Sequence, residues 1–75
     1  MSSVQTYIQK VKDLLLRPDL ASNKKDQQTF LYSLLAHWQR EINNIRSGKP
    51  SPYTILQIDE IKSEIEKLLL ETRKE

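Results

Sequence analysis

Val4, Tyr7, Ile8, Val11, Leu14 and Leu15 recur at steps of three and four. On a wheel of about 100° per residue they share an arc of roughly 120°. Gln5, Gln9, Lys12 and Asp13 lie outside it. The pattern predicts an amphipathic first helix over about residues 3–16. Its entry is a capping box, in which Ser2 accepts from the third helical amide while Gln5 reaches back. Pro18 ends the helix, because the residue before a proline is pushed out of the α region. Leu16 sits off the stripe and is expected to fold over the helix end together with Leu20.

Asp19 to Lys25 reads as a polar connector, rich in residues that favour caps and turns. Ser22 or Asn23 is the expected N-cap of a second helix over about residues 23–47, with Asp26 in its first turn. Gly48 supplies the left-handed position after its last turn, Pro50 follows as a stop, and Arg46 complements the helix dipole. Phe30, Leu31, Leu34, Leu35, Trp38, Ile42 and Ile45 cover a wider arc of roughly 140°. Within it Leu31, Leu35, Trp38, Ile42 and Ile45 keep the four–three–four–three spacing of a heptad seam.

A short, stiff connector, Gly48-Lys49-Pro50-Ser51-Pro52, leads to a third helix. Ser51 as N-cap and Pro52 at the first helical position predict its start, and it should run over about residues 52–73. Ile58, Ile61, Ile65 and Leu68 fall in heptad spacing, Ile55 and Leu69 flank them, and Leu56 and Leu70 point elsewhere. Short connections make antiparallel neighbours, so the second and third helices are expected as a hairpin. The predicted class is all-α: one domain over residues 1–75, three helices in up-down-up order, with a long hairpin.

Length turns this pattern into a functional expectation. The first helix is roughly 20 Å long and the other two approach 33–36 Å, so a short rod cannot cover the groove of a long hairpin. The surplus apolar surface is expected to meet another chain. With 75 residues the core is thin, of a kind that rarely yields more than about 3–5 kcal/mol unaided. There is no cysteine for a disulfide and one histidine, His37, which leaves no structural metal cluster. A homodimer, in which two hairpins form a helical bundle, is therefore expected. Leu31, Leu35, Trp38, Ile42, Ile61, Ile65 and Leu68 are the candidate interface residues. The bland alternative is a monomeric bundle whose gap is filled by Leu16 and Leu20.

Charge adds a rival reading. Net charge is +2, but residues 1–50 carry eight basic and four acidic side chains, and residues 51–75 four and six. Lys24, Lys25, Arg40, Arg46 and Lys49 could contact phosphates as a nucleic-acid-binding module. Solubility and dipole complementarity explain them more simply, and an acidic outer face on the third helix would repel DNA. His37 and Glu41, one turn apart, read as a surface or boundary ion pair. Glu41 falls close to the apolar arc and could instead be a buried polar residue or a partner contact. Trp38 reads as core, and the isolated Tyr32 as an exposed aromatic that could stack on a partner.

Catalysis is not expected. A single glycine gives no phosphate cradle, no cysteine is present, and the lone histidine has no serine motif beside it. No cofactor and no metal are expected. The longest apolar runs, Leu14-Leu15-Leu16 and Leu68-Leu69-Leu70, fall far short of the ~20 residues of a membrane span. No signal peptide is visible, so a cytoplasmic location is expected. The function these observations favour is a small accessory or regulatory protein acting through helical protein–protein contacts. An inhibitor- or immunity-like protein that blocks an enzyme by shape is a further possibility.

Overall fold

Side-chain chemistry at the helix ends explains most of the architecture. The computed structural model describes residues 3–73, of which 83% are helical with no strand among them. Four helices are present among these residues: α1 (Ser3–Leu15), α2 (Pro18–Ala21), α3 (Lys24–Arg46) and α4 (Ile55–Arg73). The Ser2 half of the expected first capping box lies outside the described residues.

The first departure from expectation is α2. The segment expected as an open connector begins with a single helical turn. Pro18 holds Arg17 extended (φ −65°, ψ 147°) and itself takes the first helical position, where its missing N–H costs nothing. The Ser22 hydroxyl donates back to the Pro18 carbonyl at 3.4 Å. Proline thus stops one helix and starts the next. Leu16 does not fold inward. The last turn of α1 tightens, with the Leu16 and Arg17 amides donating to the carbonyls of Asp13 and Leu14 at 3.2 Å each. These bonds span three residues rather than four, and Leu16 is left 75% exposed.

Asn23 caps α3, its side-chain oxygen accepting from the Asp26 amide at 3.2 Å. The helix ends at a glycine-terminated double turn. Gly48 adopts φ +91°, the Lys49 amide donates to the Asn44 carbonyl at 2.9 Å, and the Gly48 amide to that of Ile45 at 3.0 Å.

The second departure is at α4, which starts three residues later than the Ser51–Pro52 signal predicts. Thr54 and Gln57 form a reciprocal capping box. The Gln57 amide donates to Thr54 Oγ1 at 3.1 Å, and the Thr54 amide to Gln57 Oε1 at 3.0 Å. Two amides are satisfied there, where Ser51 would have satisfied one. Ser51 instead accepts from the Tyr53 amide at 3.2 Å, closing a small turn. That turn brings the Tyr53 ring edge-on to Trp38, with centroids 5.1 Å apart.

α3 and α4 run antiparallel. Lys62 donates to Gln39 Oε1 at 2.6 Å, and further along α4 Arg73 donates to Tyr32 Oη at 3.2 Å, so rising numbers on one helix meet falling numbers on the other. Leu31, Trp38 and Ile42 from α3 pack with Ile58, Ile61, Ile65, Leu68 and Leu69 from α4. Val4, Ile8 and Val11 bring α1 onto α4, and α2 rests on α3. Trp38, 4% exposed, is the hub. Its Nε1 donates to Tyr7 Oη at 3.0 Å, and the rings of Tyr7 and Tyr53 meet it nearly at right angles, as buried indoles favour.

Candidate functional site

The heptad positions expected at an interface are placed inside their own chain. Leu31, Trp38, Ile42, Ile61, Ile65 and Leu68 are buried among α1, α3 and α4, and Leu35 alone is half-buried. The seam pattern marked the correct face of each helix. What covers that face here is the neighbouring helix of the same chain.

Leu35 leads to what remains open. On α3, Tyr32 and Leu35 lie three residues apart on one flank. On α4, Glu66, Leu69, Leu70 and Arg73 lie at steps of three, one and three. Together these six side chains line a surface groove of about 320 Å³. Leu69 forms its buried floor and Leu35 a half-buried wall, while Tyr32 and Leu70 stand 49% and 57% exposed. Glu66 and Arg73 sit two turns apart on α4, about 10 Å along the helix, with leucines between them. Among the described residues neither forms an ion pair. Arg73 is held by its bond to the Tyr32 hydroxyl.

α1 packs on α4 and α2 on α3, and among the described residues the groove is lined by α3 and α4 alone. The run Leu68-Leu69-Leu70 carried the signal. Three consecutive helical positions sweep about 200°, so they cannot all face one core, and Leu70 is the one turned out. A second concavity, of about 470 Å³, lies over Gln5, Thr6, Gln9 and Lys10, all from the outer side of α1. It is lined from α1 alone.

The other candidate residues do not converge. Lys24, Lys25, Arg40, Arg46 and Lys49 are all exposed. Lys24 and Lys25 stand at the opposite end of α3 from Arg46, about 33 Å away along the helix, so the five form no compact cluster. His37 and Glu41 make no ion pair. The His37 ring turns its edge to Trp38, with centroids 5.0 Å apart. Glu41 is half-buried, and no polar or charged side chain is fully buried among the described residues. No group of three metal-ligating side chains comes together among them either. No helix among them is long and apolar enough to cross a membrane.

The fold and the groove define a class: a small all-helical protein with a closed aromatic-centred core and one half-open apolar seam. No protein-family model matches the chain, nor does any curated protein or solved structure.

Proposed function

We propose that the chain is a small cytoplasmic accessory or regulatory protein that acts by binding another protein through helical surfaces, as a homodimer and without catalysis. In this reading α1, α3 and α4 keep an up-down-up order, and the hairpin flank bearing Tyr32, Leu35 and Leu70 is the contact surface. The observation that carries it is the exposure of Tyr32 and Leu70 on either side of a leucine-floored groove. Contiguous apolar surface rimmed by polar groups marks interaction sites more often than scattered single residues do. Tyrosine is enriched in binding hot spots because one rigid ring offers apolar area and a hydroxyl together. Leu35 is the seam residue that serves both the interior and this surface.

A photo-crosslinking amino acid placed at Tyr32 in living cells tests the proposal, with the same group at Asp26, exposed about 120° further round α3, as control. A discrete crosslinked product from position 32 and none from position 26 is expected. Equal or absent labelling at both positions would overturn it.

A further inference from the structure

Resting on the reading of the groove as a contact surface, we infer that its occupant is a second copy of this chain, paired antiparallel along α4 about a twofold axis between Leu69 and Leu70. A twofold contact must be self-complementary, because each residue meets the image of the other. The α4 edge of the groove satisfies that condition in its own order of residues. Rotation about a point midway between Leu69 and Leu70 exchanges Glu66 with Arg73. Each carboxylate then meets the guanidinium of the second copy, on both sides of the two exposed Leu70 side chains, each seated over the leucine floor of the other copy. Glu66 and Arg73 lack an ion-pair partner within the described chain, and the exposed face of Leu70 is what the pairing covers. Tyr32, already bonded to Arg73, closes the rim.

Another register on the same helix fails this test. Leu56 is 81% exposed and lies two heptads before Leu70, so an axis at Ser63 would bring those two leucines together. That register sets Glu60 against Glu66 of the second copy, twice, and Asp59 against Lys67, twice, so its charges cancel rather than complement, and a lone serine stands at its centre.

A standard interface buries about 800 Å² per partner, and a single chain here exposes 5390 Å². A two-turn contact with its rim is smaller than that standard, so the pairing is weak, with a Kd of about 10–100 µM.

Charge exchange followed by sedimentation equilibrium of the full chain tests it. The wild type should rise from the 8.8 kDa monomer towards twice that mass across this range. E66R places two arginines across each contact and R73E two glutamates, so each variant alone should remain monomeric. An equimolar mixture of E66R and R73E restores opposite charges at both contacts and should regain the dimer. Both positions are exposed, and thermal melts of each variant should stay close to the wild type, separating lost pairing from lost folding. A wild type that is monomeric throughout overturns the inference, as does a dimer indifferent to both substitutions or a mixture that stays monomeric. If Tyr32 crosslinks to a different protein while the wild type is monomeric, the groove remains a contact surface and self-pairing falls.

Discussion

Trp38 and Tyr32 stand six residues apart on one helix and live in opposite circumstances. Trp38 is closed on every side, with Tyr7 arriving from α1 and Tyr53 from the loop before α4. Tyr32 stands half exposed at the edge of a leucine-floored groove, its hydroxyl bonded to Arg73. The backbone beneath both is the same regular helix, and both side chains are aromatic. The difference lies in reach. A first helix of 13 residues packs along α4, and among the described residues no further helix lines the groove beside Tyr32. The lesson is that closure and opening here follow from counting covers. The closed end is where the molecule holds its stability, and the open seam is where it can spare surface.

That comparison breaks most violently at Trp38. Trp38→Ala removes the hub of the core at about 3–5 kcal/mol, comparable to everything a domain this size has in reserve. Circular dichroism should show an unfolded chain at room temperature. Ile65→Asp should do the same, by burying a charge. A folded product from either would contradict the closed-core account.

Smaller effects sharpen it. Tyr7→Phe keeps the ring and deletes the acceptor for Trp38 Nε1, leaving a buried donor unpaired at about 1–3 kcal/mol. The melting temperature should fall by about 5–15 °C. Gly48→Ala and Thr54→Ala act on the two ends of the loop that delivers Tyr53. The first forces a Cβ into a positive-φ conformation with open space around it, so its cost of about 1–2 kcal/mol is backbone strain alone. The second deletes a cap worth about 1 kcal/mol. Each should lower the melting temperature by about 4–15 °C. Leu70→Asp, on the open seam, should change stability by no more than about 0.5 kcal/mol, yet abolish self-association in sedimentation. A large loss of stability in that variant would mean Leu70 belongs to the core.

Much of the closed region was legible from residue order, because its causes are local. Asn23 and Gly48 bracket α3 through caps that act within a few residues, and the three-and-four spacing of Val4, Ile8 and Val11 picks out the buried face of α1. Two starts were harder. Pro18 carries both a stop and a start, and only the stop was apparent. Ser51-Pro52 and Thr54-x-x-Gln57 are both sound N-terminal signals, and the second wins because it satisfies two amides and frees Tyr53 to reach Trp38, a contact distant in sequence. The groove was the least legible part. Periodicity says which face of a helix is apolar and is silent on whose atoms cover it. The seam from Leu31 to Leu68 therefore looked available for a second chain, although most of it is consumed within the first. Leu70, two residues past that seam, showed only as the last of three consecutive leucines, which cannot all face one core.

Backbone amide chemical shifts followed on dilution of the full chain test the central claim most directly. The account predicts concentration-dependent shifts grouped at Tyr32, Leu35, Glu66, Leu70 and Arg73, with the amides around Trp38 and Tyr7 unmoved. Shifts centred on Trp38, or none at any concentration up to ~1 mM, would contradict it.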